Sequence, residues 1–189
     1  MEGKQFFERA SWTLVDQCVV SGGNFMLNVL LARVLSEQDY GEFALFLGGI
    51  FLLRAIDYSL ISYPLSVRLC VATEDERATL LGNTVLLAAA LSLVLVMAMA
   101  IGTTILDEDN ILLPACLCYL CWQAQETSRR FLLAEFRYRA AVAGDGIAYV
   151  GQVLVIGIVL WTGSVTLPSA LYAMSATFVV GALVHASKL

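Results

Sequence analysis

The sequence predicts an all-α fold, a polytopic membrane protein with six transmembrane helices, and two observations carry that prediction. Charged residues are absent from Ala78 to Leu106 and from Gly146 to Ser187, whereas about 20 apolar residues suffice for a helix to cross a bilayer. Hydrophobic residues make up 59% of the chain and charged residues 14%, against roughly 25% charged in soluble domains. We therefore interpret residues 1–189 as a single six-span bundle without a soluble domain.

Polar and acidic breaks separate the predicted spans. The spans cover Trp12–Val34, Phe43–Leu69, Leu80–Leu106, Ile111–Arg130, Ala141–Thr162 and Leu167–His185. Acidic or polar runs at Ser36–Gly41 and Asp107–Asn110 end the first and third spans. Thr73–Glu76 has the pattern of a capping box that opens the third span. Gly163–Pro168 forms the last break, with its proline suited to an early helical position.

The basic residues predict the orientation, because cytoplasmic loops carry the excess of lysine and arginine. Of the 11 lysines and arginines, only Arg33 falls on the opposite side of the predicted bundle, and Arg54 lies inside a span. We therefore expect both termini to be cytoplasmic. The pattern also supports the six-span count, because losing one span would scramble it.

Several function classes are disfavoured by composition and motif content. A net charge of -5 makes nucleic acid an improbable partner. No glycine-rich phosphate loop, nucleophile elbow or pair of catalytic carboxylates occurs in the sequence, so we expect neither an enzyme nor a cofactor. The cysteines lack the further ligands that a zinc site needs and are interpreted as small packing residues, with no metal site. The single histidine, His185, is expected at the surface at the end of the last span.

Polar side chains inside the spans fall on single helical faces, which predicts a polar interior, because such residues avoid lipid. Spans one, two, four and five carry these stripes, whereas spans three and six are plainer and are expected nearer the lipid. Hydrogen bonding between packed helices explains the asparagines equally well. The substrate-cavity candidates are Gln17, Asn24, Asn28, Arg54, Asp57, Gln123, Glu126, Tyr149 and Gln152.

Charged residues inside or beside the spans give sharper alternatives. Arg54 and Asp57 are three residues apart and can touch, either as a neutralised pair or as part of a substrate path. We expect Asp16 and Asp145 to cap helices or to pair with the basic cluster after the fourth span, with proton relay as the alternative. That cluster has two interpretations, a topogenic loop or a group that attracts phosphate. It comprises Arg129, Arg130, Arg137 and Arg139.

Two blocks of the sequence resemble bacterial polysaccharide flippases. The first runs through Trp12, Asp16-Gln17, Ser21-Gly22-Gly23-Asn24-Phe25, Asn28, Ala32-Arg33, Tyr40-Gly41 and Phe43-Ala44. It is common to the wider superfamily that also holds multidrug and toxin extruders. The second is more particular to the polysaccharide branch and runs through Trp122-Gln123, Gln125-Glu126-Thr127, Arg129-Arg130, Arg137–Ala141, Gly144-Asp145, Tyr149 and Gly151-Gln152.

The resemblance implies an inner-membrane exporter that flips an undecaprenyl-pyrophosphate-linked oligosaccharide from the cytoplasmic to the outer leaflet for polysaccharide biosynthesis. Such exporters alternate access between two lobes of about six helices, and this chain matches the amino-terminal lobe alone. A second lobe is then expected from a missing part of the chain, a partner or a homodimer. The alternatives are a drug/cation antiporter lobe, with carboxylates such as Asp57 carrying protons, and a truncated, non-transporting membrane subunit.

Overall fold

The computed structural model describes residues 2–69, 72–105 and 109–189, and within these ranges it contains helices and no strand. Leu106, where the predicted third span ends, and Asp107 and Glu108 of the following break lie outside the described residues. Cys70 lies outside them as well. The all-helical part of the prediction is therefore confirmed for the described residues.

The helices follow one another with short connections. They are α1 (Glu2–Val34), α2 (Glu37–Asp57), α3 (Tyr63–Leu69), α4 (Glu74–Ile105), α5 (Asp109–Ala134), α6 (Tyr138–Asp145), α7 (Gly151–Thr162) and α8 (Leu167–Ala186). Two π-helical turns, Tyr58–Ser62 and Gly146–Val150, join α2 to α3 and α6 to α7 without a break in the helical backbone. The chain therefore forms long helical rods that end close to the ends of the predicted spans, while α1, α2 and α4 begin several residues before the predicted starts.

Local sequence signals account for several helix ends. The Ser36 hydroxyl accepts a hydrogen bond from the Asp39 amide at the start of α2. At the start of α4, the Thr73 amide donates to the Glu76 carboxylate at 3.0 Å, which is one half of the predicted capping box. This hydrogen bond holds the pKa of Glu76 below its usual value. Thr166 forms a complete capping box at the start of α8.

Within the described ranges, five helical segments are long and apolar enough to cross a membrane. They are Ala10–Val34, Glu37–Leu60, Gly82–Ile101, Tyr138–Thr162 and Leu167–Ala186. The predicted fourth span corresponds to α5, whose 26 residues are long enough but include Glu126, Arg129 and Arg130. These charges lower its hydropathy. The chain is thus a helical protein with several membrane-spanning helices, and the six-span count stays a prediction.

The core lies between α5 and α8, which pack more extensively on each other than any other two described helices. Ten residues of α8 are buried, among them Leu171, Met174 and Phe178. The expectation that the sixth span lies nearer the lipid was therefore wrong. Sparse polar residues on α8 did not mean exposure, because its small and apolar side chains fill the centre of the bundle.

Helix α1 joins this core through one face that includes Val20, Gly23 and Leu27. A Cβ atom added to Gly23 would lie 2.7 Å from the Tyr149 Cβ atom, whereas Gly22 faces open space. Gly23 thus permits close packing of α1 against the second π turn. The backbone is helical throughout Glu2–Val34, so this glycine serves close packing without any local unwinding of α1.

Both termini lie at one end of the bundle, together with the turn between α5 and α6. The Arg139 guanidinium lies 5.3 Å from the centre of the Trp12 ring near the start of the chain. Arg137 donates to the backbone oxygen of Leu189 at 3.3 Å. At this turn Phe136 has a positive φ of 60°. The Arg137 backbone amide donates to the Leu132 carbonyl, which is the pattern of a Schellman motif.

Candidate functional site

One arginine on α5 draws together carboxylates from three helices. The Arg129 guanidinium donates from Nε to Asp145 Oδ2 at 2.6 Å and from Nη2 to Asp16 Oδ2 at 2.5 Å. Its Nη1 lies 3.5 Å from Glu126 Oε2, one turn earlier on α5. All four residues are buried. This confirms that Asp16 and Asp145 pair with the basic cluster, and it ties α1 and α6 to α5.

A second group of charges adjoins the first through Glu126. Arg130 donates from Nε to Glu126 Oε1 at 3.0 Å, and its Nη1 lies 3.1 Å from Asp57 Oδ2. Arg54 Nη2 lies 3.6 Å from Glu126 Oε1, and Gln123 donates to Asp57 Oδ1 at 3.1 Å. Arg54 and Asp57 on α2 therefore have partners across the helix interface, on α5.

His185 lies inside the bundle, and the expectation of a surface position was wrong. Its exposed fraction is 0%, and its Nε2 is 3.0 Å from the Ala141 carbonyl. A carbonyl only accepts hydrogen bonds, so Nε2 carries the proton; it is also 3.7 Å from Asp145 Oδ1. Gly144 makes room for the ring, since a Cβ atom there would clash with it. Gln125, at 2.6 Å, donates to the same Asp145 oxygen.

These residues form one connected group that we call the charge network. Its charged members are Asp16, Arg54, Asp57, Glu126, Arg129, Arg130 and Asp145. Four carboxylates therefore face three guanidinium groups. Unpaired charges are costly at this depth of a membrane bundle, and mutual pairing makes them tolerable.

Exposure distinguishes the three arginines of the charge network. The side chains of Arg129 and Arg130 are 10% and 15% exposed, whereas that of Arg54 is 34% exposed. Arg54 is thus the guanidinium that reaches the edge of the charge network. Arg130 is further enclosed by Tyr58, whose ring centre lies 5.7 Å from its Cζ atom.

Two aspartates of the charge network sit immediately before π-helical turns. Asp57 precedes Tyr58–Ser62, and Asp145 precedes Gly146–Val150. Single π turns inside α-helices often occur at functional sites, because they redirect side chains and relax the backbone ladder. Both π turns here adjoin the charged interior rather than the ends of the bundle.

The remaining cavity candidates fall into two groups. Tyr149 and Gln152 are 2% and 1% exposed and belong to the core, with Tyr149 packed edge-on against Phe178. The α1 stripe, comprising Gln17, Ser21, Asn24 and Asn28, lies beside the buried face of that helix. Gln17 and Ser21 are exposed, and Asn24 and Asn28 are half-buried.

The phosphate-attracting candidates also separate. Arg129 and Arg130 belong to the charge network, whereas Arg137 and Arg139 lie at the end of the bundle. Arg137 is 3.4 Å from Glu135, and Arg139 stacks on Trp12. The structure therefore does not gather the four arginines into one site.

Buried polar atoms without a hydrogen-bond partner cluster around the charge network. Among the residues that the structure describes, they include Asp16 Oδ1, Gln125 Oε1, Gln152 Nε2 and His185 Nδ1. Neither Gln125 nor His185 was predicted from the sequence to be part of a functional site. The sequence signal for their burial was a pair of glycines, Gly144 on α6 and Gly181 on α8, which face each other. Such small residues make room for a larger buried side chain.

The sequence comparisons leave the family open. Searches against protein-family models, curated proteins and solved structures found no match.

Proposed function

We propose that this chain is one lobe of an inner-membrane transporter that flips an undecaprenyl-pyrophosphate-linked oligosaccharide for polysaccharide export, with both termini in the cytoplasm. The observation that carries the proposal is Arg54, a partly exposed guanidinium at the edge of a buried charge network within the candidate spans. An ionisable residue at membrane depth points to a substrate or ion path. The resemblance of the two sequence blocks to polysaccharide flippases supports the choice of substrate.

Arg54 is suited to exchange its partner. Its contact with Glu126 is long, at 3.6 Å, while Arg129 and Arg130 also contact that carboxylate. Glu126 therefore keeps two cations when Arg54 turns to an incoming anion. A guanidinium binds phosphate oxygens in a bidentate manner, which suits a pyrophosphate head group.

The α1 stripe supports a second lobe. Gln17 and Ser21 are exposed within a candidate span, and the Gln17 amide donates to the Ser21 hydroxyl at 3.0 Å. Lipid offers no partner for the polar groups that this hydrogen bond leaves over. A facing lobe, supplied by another part of the protein, a partner or a second copy, would enclose this stripe and complete a polar path. Asn24 and Asn28 would then line that path beside the charge network.

The proposal is tested by measuring the affinity of the purified protein for a short-chain polyprenyl-pyrophosphate oligosaccharide. Arg54→Gln is expected to weaken binding about tenfold, the loss of one charge-assisted contact of about 1.4 kcal/mol. Arg54→Lys should retain part of the affinity. The matched control is Arg68→Gln, which removes an exposed arginine farther along the same rod.

Two results would contradict the proposal. One is equal affinity of the wild-type chain for the same lipid with a neutral head group. The other is an unchanged affinity in a folded Arg54→Gln variant. Surface glycan, measured with any second lobe supplied, extends the test to export.

One observation favours a cation antiporter lobe as the second candidate. The four carboxylates of the charge network exceed its three guanidinium groups, so a carboxylate such as Asp57 is available to carry a proton. That function predicts efflux of a lipophilic cation driven by a proton gradient and abolished by Asp57→Asn. Absence of both activities would leave a non-transporting subunit.

A further inference from the structure

A groove between α4 and α5 lies outside the charge network and is independent of the proposed function. Its volume is about 540 Å³, and its walls include Ala88, Ala89 and Leu93 on α4 and Leu120 and Ala124 on α5. Small side chains on both helices create the space. Most of the α4 wall belongs to the candidate span Gly82–Ile101, so the groove opens towards the bilayer.

Three polar residues of the groove walls, Ser92, Gln123 and Ser128, are hydrogen-bonded within the protein, and a fourth polar residue of the walls is Thr127. Ser92 donates its hydroxyl to the Ala88 carbonyl, and Ser128 donates to the Ala124 carbonyl, each at 2.7 Å within its own helix. The Gln123 amide donates away from the groove to Asp57. The walls therefore present an apolar surface, which matches a hydrocarbon chain rather than a polar ligand.

The length of the groove matches one leaflet. Its α4 wall runs from Val85 to Val96, roughly 17 Å of helix at 1.5 Å per residue. Half of a bilayer core about 30 Å thick measures about 15 Å. One end of the groove is formed by Phe131 and Leu189, at the end of the bundle that carries both termini.

Basic groups flank that end. Lys188 is exposed, and Arg137 is in contact with Leu189 and, at 3.4 Å, with Glu135. We propose that the groove between α4 and α5 binds an acyl chain of an anionic phospholipid, whose head group lies beside Lys188 and Arg137. The occupant is a lipid of the leaflet on the side of the termini, because the groove begins at that surface and ends near the middle of the membrane.

The experiment counts the phospholipids that the purified full chain retains, by native mass spectrometry after extraction from membranes that contain phosphatidylglycerol and phosphatidylcholine. We expect preferential retention of phosphatidylglycerol. Ala89→Trp, which fills the groove, should lower that retention about tenfold. Ala90→Trp is the matched control, because Ala90 is a neighbouring exposed residue that does not line the groove.

If Ala89→Trp fails to fold, Ala124→Trp takes its place in the test, because it fills the groove from the α5 side. Lys188→Gln combined with Arg137→Gln should remove the preference for phosphatidylglycerol while leaving the total number of retained lipids unchanged. Equal retention in a folded groove-filling variant and in Ala90→Trp would overturn the proposal. So would a lipid-free dimer whose association Ala89→Trp disrupts, because a second copy would then occupy the groove.

Discussion

Arg129 joins three carboxylates and is the centre of the charge network at the residue scale. Its guanidinium holds Asp16 of α1 and Asp145 of α6 at 2.5 and 2.6 Å, and both carboxylates are buried. An arginine so enclosed has little capacity left for a substrate. We therefore assign it to assembly of the bundle and leave phosphate binding to Arg54.

Replacing Arg129 tests that assignment. Arg129→Ala leaves buried carboxylates without their cation, so we expect a loss of stability of about 3–5 kcal/mol. The control is Arg139→Ala, at an exposed position where the stacking contact with Trp12 is worth about 0.5–1 kcal/mol. Denaturation of both variants in detergent measures the difference. Similar stability of the two variants would refute a structural role for Arg129.

Residue-scale pairing was only partly predictable from the sequence. The stripe on α5 placed Gln123, Glu126 and Arg130 on one helical face, and the structure confirms that face as buried or half-buried. The pairing of Asp57 with Arg130, and the burial of His185, depend on which helices meet. Spacing within one helix carries no information on that choice.

At the element scale, α1 and the rod of α6 and α7 approach each other closely at Gly23. Its missing side chain faces the Tyr149 Cβ and backbone atoms at 2.7–3.0 Å. Backbone atoms cannot move aside as a flexible side chain can. This contact fixes the distance between α1 and the second π turn.

Two neighbouring glycines provide a matched test of that contact. Gly23→Ala overpacks the interface and is expected to destabilise the protein by about 1–3 kcal/mol. Gly22→Ala meets no atom within 4 Å and should be neutral or stabilising by up to about 1 kcal/mol, because alanine favours the helix. Thermal unfolding of the two variants gives the comparison. An equal effect of both substitutions would show that the close approach is not rigid.

Element bounds were more predictable than element geometry. Hydropathy placed the carboxyl ends of the long helices to within a few residues, since long apolar runs leave little choice. It missed the polar first turns, because α1, α2 and α4 begin at Glu2, Glu37 and Glu74, before the predicted starts at Trp12, Phe43 and Leu80. The two π turns were not predicted, because a π turn has no characteristic composition and arises from how the neighbouring helices pack. The central position of α8 was missed for a similar reason, since helices that face lipid and helices in a membrane core are both apolar.

At the scale of the whole molecule, the position of α5 decides the topology. The termini and the turn between α5 and α6 share one end of the bundle. Yet α5 is less apolar than the five candidate spans, because it contains charged residues. These side chains face neighbouring helices. Its polar face is thus covered by protein, so a helix of lower hydropathy can still cross the membrane.

Cysteine labelling of residues on either side of α5 tests whether it spans. Asn110, in the first turn of α5, and Glu135, directly after its last residue, are both exposed. In a cysteine-free background, Glu135→Cys should react with an impermeant thiol reagent only from the cytoplasmic side, and Asn110→Cys only from the outside. Ser164→Cys, in the exposed turn before α8, serves as a further outside marker. Reaction of both flanking positions from the same side would exclude the six-span topology.

The π turns also determine where the chain can lose a residue without disturbing helix packing. A π turn accommodates one more residue than an uninterrupted α-helix, and one residue corresponds to a rotation of about 100° around the axis. The turn Gly146–Val150 takes up this extra residue, so that α7 keeps its side towards α8 while Asp145 stays directed at Arg129. A one-residue deletion in this turn could close up into an ordinary α-helical turn and would leave both halves facing their partners. The same deletion inside α7 would rotate everything beyond it by about 100° and is therefore far more consequential.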